Sequence, residues 1–455
     1  MSRSTLRSIS WLGSLLASLI PLTALAAGPV ELPVKPGDLI TPENAAKVAD
    51  LVSPGNFTLV KQGMQMKIVA TQRVEWPPPY KSATEKYSSQ VSLGPDGTLH
   101  NYVAGQPFPL LDPADPQVAT KVMWDFSYRP LYTDDVDLRF VQVASFKPGS
   151  GAGSPIAHFT IGHFAFYNNF GRTEVAPIPT DPEGPSTGIR YRFASYPFLE
   201  PATLRGLGLV RYRNNDPKIE DNAWLYNPQN RRVRRESATV LSDSIANFMS
   251  FGGGGGFAGS GGGATPYANN IDPDSYFGFA AKIEDFNYKF LGLKPMLASM
   301  HAETSPARPC GTDGGRSICP ENWEVRQLYV IQADAKPNSA PLGDSLSIPR
   351  RVLYIDSEGW MITASDQYDR EGKLWKTIAT FNTYRDRPVP DARIAIWPYK
   401  RMFQTALVDE NIQNGFSSVV YTPAADTPER ECWYINMGTV DKSFFLPQTM
   451  ERAGH

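Results

Sequence analysis

"RRVLYIDSEGWMITASDQYDREGKLWKTIATFN", residues 350–382, decides the fold. Apolar, β-branched and aromatic residues alternate with polar ones in three runs. Ser357-Glu358-Gly359 and Arg370-Glu371-Gly372 separate the runs, each short and ending in glycine. Period-two alternation broken by brief Gly-bearing turns is the signature of consecutive hairpins. The stretch therefore predicts three antiparallel strands in a meander.

The same pattern recurs in both directions. "GMQMKIVATQRVEW" (63–76) predicts a long strand, stopped by Pro77-Pro78-Pro79. "KYSSQVSLGPDGTLHNYVAG" predicts a hairpin around Gly94-Pro95-Asp96-Gly97. "DLRFVQVASF" (137–146), "AHFTIGHFAFYN" (157–168), "TGIRYRFASYPFLEPATLRGLGLVRYRN" (187–214), "WEVRQLYVIQAD" (323–334) and "SSVVYTP" (417–423) add more strands. Helical signals are few. "TPENAAKVADLVSPG" offers Thr41 as cap, Pro42 as first residue and Pro54-Gly55 as stop. "LSDSIANFMSF" (241–251) and "IEDFNYKFLGL" (283–293) are weaker helical candidates. The chain is thus mainly β with a few helices (α+β). A sheet of a dozen strands or more has to curl, with helices packed on one side.

"WLYNPQNRRVRR" (224–235) reads as a hairpin with Asn227-Pro228-Gln229-Asn230 as a four-residue turn. That turn sets Tyr226 opposite Arg231, Leu225 opposite Arg232 and Trp224 opposite Val233. "SFGGGGGFAGSGGGATPYANN" (250–270) reads as a low-complexity surface insertion, since no phosphate-loop Lys-Ser/Thr follows the glycines.

The N-terminus has the order of an export signal: Arg3 and Arg7, the apolar run "ISWLGSLLASLIPLTALA", then Ala24-Leu25-Ala26 as a cleavage site. No cysteine follows that site to accept a lipid. Residues 1–26 are read as a signal peptide and 27–455 as one domain. Cleavage removes two of the 44 basic residues and none of the 46 acidic ones, leaving a mildly acidic protein, which argues against bulk nucleic-acid binding. In an oxidising compartment Cys310 and Cys319 are expected to pair across "CGTDGGRSIC", while Cys432 stays a buried thiol.

A search for chemistry finds little. The five histidines, His100, His158, His163, His301 and His455, form no metal-binding pattern. Gly184-Pro185-Ser186-Thr187-Gly188 reads as a turn and not as a nucleophile elbow. The pairs Asp134-Asp135, Glu220-Asp221, Asp356/Glu358 and Asp366/Asp369 read as turn residues, which Asp favours for its own backbone bonding. No catalytic residue, metal or cofactor is assigned.

Several strands instead carry apolar residues on both parities. Phe159 and Ile161 precede Phe164 and Phe166 in the other register, Trp360 and Ile362 oppose Met361, and Leu374 and Ile378 oppose Trp375 and Phe381. Either helices or a second sheet cover one face, or a cavity lined by side chains lies inside.

"AWLYNPQNRRVRR", "EVRQLYVIQAD" and above all "RRVLYIDSEGWMITASDQYDREGKLWK" resemble the exported bacterial family called domain of unknown function 1329. That family is itself similar to LolA/LolB-type periplasmic lipoprotein carriers. The resemblance covers most of the mature chain and leaves the Gly-rich stretch unmatched. It implies an unclosed antiparallel β-barrel, lidded by helices over a hydrophobic cavity, with no catalytic motif to transfer. It implies a periplasmic carrier for a lipid or other hydrophobic molecule, working with an RND-type inner-membrane exporter and an outer-membrane protein. The rivals are a non-catalytic accessory subunit of such an exporter and an envelope hydrolase. Trp224, Tyr226, Asn227 and Pro228 match a hairpin that lies beside the cavity in the carriers. The candidate cavity residues are Phe164, Phe166, Trp224, Tyr226, Trp360, Ile362 and Trp375. Arg231, Arg232, Arg234 and Arg235 are candidates for a headgroup or partner contact at the rim.

Overall fold

The computed structural model describes residues 32–148, 155–237, 275–279, 281–303, 307–336, 348–387, 396–422 and 432–454. The expected signal peptide at 1–26, the candidate helix at 241–251 and the glycine-rich stretch at 250–270 lie outside the described residues. Four short strands come first: β1 (Leu39–Ile40), β2 (Met66–Ile68), β3 (Ser92–Leu93) and β4 (Leu99–His100). Then follow β5 (Asp135–Phe146), β6 (Ala157–Asn168), β7 (Ile189–Ser195), β8 (Phe198–Glu200), β9 (Gly208–Asn214), β10 (Asn222–Asn227) and β11 (Arg232–Ser237). The second half holds β12 (Phe286–Ala298), β13 (Glu321–Ala335), β14 (Arg350–Asp356), β15 (Ile362–Tyr368), β16 (Leu374–Arg385), β17 (Arg401–Asn411), β18 (Ser417–Tyr421) and β19 (Trp433–Ile435). The α-helices are α1 (Pro54–Lys61), α2 (Pro78–Tyr87), α3 (Val118–Ser127), α4 (Glu183–Thr187) and α5 (Pro447–Ala453).

The meander at 350–382 forms as expected, with β14, β15 and β16 pairing in sequence. From it the sheet extends both ways, in the order β12–β13–β14–β15–β16–β17–β18–β5–β6–β7–β9–β10–β11. These pairs are antiparallel. β2 joins separately, parallel to Glu321–Trp323 of β13, which makes the sheet mixed. Among the described residues β11 and β12 each have one neighbour, so the sheet has two edges and does not close. Residues from β5 to β10 and from β12 to β19 meet with α3 in one continuous apolar core, so the sheet curls around it. The expected unclosed, helix-covered β architecture is what the chain forms.

Adjacent residues face opposite ways along a strand, and here both faces are covered. Phe164, Phe193, Leu209 and Leu225 enter the large core. Their neighbours Ala165, Ala194, Val210 and Tyr226 enter a second cluster beneath α5, with Phe445 and Met450. In β5 and β6 the pattern has another cause. Val136 and Leu138 share the core with Val141 and Val143, as Phe164 does with Phe159 and Ile161. Phe140, at φ 56°, sits between the two registers of β5, opposite Gly162. A left-handed residue there reverses side-chain parity, and both strands switch together.

On β15 and β16 the second cover is the N-terminal segment. Ile378 points into the core, while Thr377 donates to Asp366 at 2.7 Å on the face that α1 occupies. The Asp366 carboxylate also accepts from Ser53 Oγ and from the Gly55 N–H, both at 3.1 Å, at the start of α1. Gly55 has to be glycine: a Cβ would lie 2.0 Å from Thr377 Oγ1.

Several local expectations change. Pro54-Gly55 does not stop a helix but starts α1, capped by Ser53, after a separate 3₁₀ turn at Pro42–Val48. The long strand expected over 63–76 shortens to β2, because β13 beyond Trp323 already pairs with β12. The triple proline opens α2, since Pro at a first helical position costs no hydrogen bond. Phe286–Leu293 is strand, not helix, held against β13 with a bulge at Gly292. The Gly94–Gly97 hairpin forms, as the small β3–β4 pair. Cys310 and Cys319 are disulfide-bonded, and Cys432 is buried outside that bond.

In the 224–235 hairpin the register moves by one residue on each strand: Asn227 pairs with Arg232, Tyr226 with Val233 and Trp224 with Arg235. Arg231 adopts φ 49° and joins the loop, and the Asn227 side chain accepts the Gln229 N–H at 2.8 Å. Arg231, Arg232, Arg234 and Arg235 are all exposed, three of them on the edge strand β11. Charge on an open edge opposes strand addition by another chain.

Candidate functional site

At one end of the curled sheet the inward-facing rows change chemistry. On β6 the row runs Phe164, Phe166, Asn168; on β7, Phe193 then Tyr191; on β9, Leu209 then Arg211 and Arg213. A cavity of about 120 Å³ opens where these rows turn polar. α3 forms one wall. Val118, Val122 and Phe126, spaced by four, are buried against the sheet, which brings the end of the helix to the cavity. Tyr276–Phe279 forms another wall. This segment belongs to no strand, yet Tyr276, Phe277 and Phe279 are buried in the main core. Tyr276 lies 4.8 Å from Phe164 and Phe277 5.9 Å from Phe166, centroid to centroid. Gly278, at φ 82°, passes so close that a Cβ would meet Ile362 Cγ2 at 2.5 Å.

Among the described residues four arginines line the cavity, and no aspartate or glutamate does. Arg129 lies between Phe126 and Phe277, 4.4 and 4.6 Å from their ring centroids. Arg190 lies 4.3 Å over Tyr128 and donates to Ser127 Oγ at 2.7 Å. Arg213 is paired with Asp221 at 2.6 Å. Among the described residues no carboxylate comes within ion-pair distance of Arg129 or Arg190. Burial therefore lowers the Arg129 pKa to about 10. Aromatic faces give a guanidinium partial compensation, less than a carboxylate would. The Tyr132 hydroxyl, also at the cavity, is buried with no hydrogen-bond partner among the described residues. The site can bind and hold. Among the described residues it presents no paired acid and base and no nucleophile–base pair.

Of the residues expected to line a cavity, Phe166 does so. Phe164 and Ile362 lie in the core against the Tyr276–Phe279 segment. Trp360 is buried in the same core, stacked on Tyr329 at 5.5 Å. Trp224 and Tyr226 are on the opposite face, beneath α5, because Leu225 takes the inward position. Trp375 lies half-buried at the start of β16, with Lys376 over its ring. The four hairpin arginines are not at the cavity. Arg129, Arg190, Arg211 and Arg213 were missed. The available signal was the repeated Arg-Tyr-Arg at 190–192 and 211–213, in strands that are otherwise apolar.

The acidic pairs have structural partners. Asp366 is not a turn residue but a buried anchor for α1, whereas Asp369 accepts N–H bonds from Glu371 and Lys373 within its turn. Asp356 is held by the Arg326 guanidinium through bonds of 2.7 and 3.1 Å.

Comparison with known proteins supplies a family. An uncharacterized protein of Pseudomonas aeruginosa is 24% identical over 369 residues, 77% of this chain and 70% of that one. A candidate outer membrane lipoprotein-sorting protein domain from Vibrio parahaemolyticus is 13% identical, with a TM-score of 0.43, over 73% of this chain and 97% of that one. A DUF1329 family protein from Desulfovibrio piger is 12% identical, with a TM-score of 0.39, over 70% and 92%. A LolA superfamily protein from Nitrosomonas europaea is 13% identical, with a TM-score of 0.32, over 69% and 90%. Residues 39–252 and 264–427 match the family described as "Protein of unknown function (DUF1329)", and the chain belongs to that family.

Proposed function

We propose that this protein binds and carries a hydrophobic molecule, a lipid or a ligand of similar character, inside the curled sheet. The carrying observation is the Tyr276–Phe279 segment: the interior accepts aromatic groups that no strand supplies. A ligand lying against such groups gains about 0.8 kcal/mol for each methylene it takes out of water. The cavity of about 120 Å³ equals about four waters in liquid volume, so it holds one end of a longer cargo, whose remainder lies against the aromatic walls. Binding needs no catalytic group, in keeping with the chemistry of the site. The export-signal pattern at the N-terminus and the Cys310–Cys319 disulfide favour the periplasm as the place of work. Among the described residues no helix is long and apolar enough to cross a membrane. Delivery to or from an RND-type exporter and an outer-membrane protein rests on the family resemblance alone. The test is organic extraction of the purified protein followed by lipid mass spectrometry, with thermal shifts against a lipid panel. A co-purifying lipid that raises Tm on re-addition supports the reading. Empty extracts and no shift with any lipid refute it.

A further inference from the structure

We propose that the ligand is an anionic amphiphile: one oxyanion head enters the arginine-lined cavity, and the apolar body lies against Phe166 and Phe277. This rests on the carrier reading and goes beyond it by naming the class of ligand. Three observations carry it.

The first is charge. A cavity at the end of an apolar core is lined, among the described residues, by Arg129, Arg190, Arg211 and Arg213 and by no acid. Arg211 and Arg213 are buried and Arg129 and Arg190 half-buried, and a neutral lipid gives no reason to gather four guanidinium groups around one pocket, since taking a cation out of water is unfavourable without a counter-charge. Arg213 has Asp221. Arg129 has aromatic faces and the Phe126 carbonyl at 2.9 Å, and Arg190 has the Tyr128 face, Ser127 Oγ at 2.7 Å and, beyond ion-pair distance, the charge of Glu284. An entering oxyanion would supply charge-assisted bonds that the protein leaves unmade.

The second is an orphan donor. Tyr132 Oη is buried at the cavity with no partner among the described residues. Leaving a buried hydroxyl unsatisfied costs free energy, and an anionic oxygen restores the bond.

The third is size and lining. About 120 Å³ takes a carboxylate or a phosphate but not a ten-carbon chain. Phe166 and Phe277, on the walls of the same cavity, are 5.9 Å apart and present the apolar surface a chain needs.

Carboxylates and phosphate monoesters share this head chemistry, and the probes separate them. The full-length protein is titrated with decanoate, decyl phosphate, decanol and decyltrimethylammonium by calorimetry and thermal shift, in low salt and in 0.5 M salt. The expected result is that decanoate or decyl phosphate binds about tenfold or more tightly than decanol, that the cation binds weakest, and that the preference persists in high salt. Whichever anion binds tighter names the head. In Arg190→Gln and Arg129→Gln the ratio of anion to decanol affinity should fall about tenfold. Should either variant fail to fold, Tyr132→Phe, which removes one hydroxyl, should lower the same ratio about threefold or more. Equal binding of decanoate and decanol, or a preference that vanishes in salt, overturns the anionic-head proposal and leaves the carrier reading intact. No binding by any amphiphile overturns both.

Discussion

The Asp366→Asn substitution tests the account of how the N-terminal segment is attached. Asp366 is fully buried on β15, and its carboxylate takes three donors: Ser53 Oγ, Thr377 Oγ1 and the Gly55 N–H. Burial outweighs those bonds and raises its pKa to about 6. An unfolded Asp titrates near 3.9. The folded chain therefore binds the proton more tightly than the unfolded one. This stabilising contribution is fully present below about pH 4 and is lost as pH rises through about 6. A gap of roughly two units at 1.36 kcal/mol each makes the loss about 3 kcal/mol. Asn cannot ionise and does not suffer it. At pH 4 the variant should be less stable by about 1 kcal/mol, for one mismatched hydrogen bond. Between pH 4 and pH 7.5 the difference should move in its favour by about 3 kcal/mol. Urea denaturation followed by tryptophan fluorescence across that range reads the effect. Asp134, pushed up to about 6, and Glu410, pushed up to about 7, titrate in both proteins and cancel in the difference. A stability difference that stays flat within about 0.5 kcal/mol from pH 4 to 7.5 would refute the reasoning.

Two further outcomes are expected from the same structure. Gly55→Ala should destabilise by about 2–3 kcal/mol despite the higher helix propensity of alanine. Its Cβ would lie 2.0 Å from Thr377 Oγ1 and 2.3 Å from Asp366 Oδ1, so α1 must retreat; an unchanged urea midpoint would show that it does not. Replacing Arg231, Arg232, Arg234 and Arg235 together with Ser should shift stability by less than about 1 kcal/mol, since all four are exposed. The same variant should self-associate more, because β11, an edge strand among the described residues, loses its charge. Light scattering over a concentration series measures that, and a monomer as soluble as the parent would count against the edge-guarding role.

The physical signals in the sequence differ in reach. Strands β14 to β16 were legible because their alternation and their Gly-ended turns are local. β6 was legible to its ends, yet not its change of parity, which depends on Phe140 across the pairing at Gly162. β12 was misread as a helix because the aromatic spacing of "IEDFNYKF" suits either state, and its partner β13 lies some thirty residues on. α3 and β17 carry no comparable local signal. β17 is buried along its whole length, so its sequence lacks the alternation that marks a half-exposed strand.

By itself the sequence determined what local chemistry dictates: a mainly β chain, its principal hairpins, the Cys310–Cys319 pair and the family to which the chain belongs. The tertiary structure alone decided which face of each strand is inward. One residue of parity puts Leu225 in the core and sends Trp224 and Tyr226 beneath α5. It also assembled the candidate site, because Arg129 follows a helix while Arg190, Arg211 and Arg213 ride on two strands. Side chains spread over more than eighty residues share a cavity only once the sheet has curled. No local pattern records that curling, since the contacts that drive it join residues far apart in the chain.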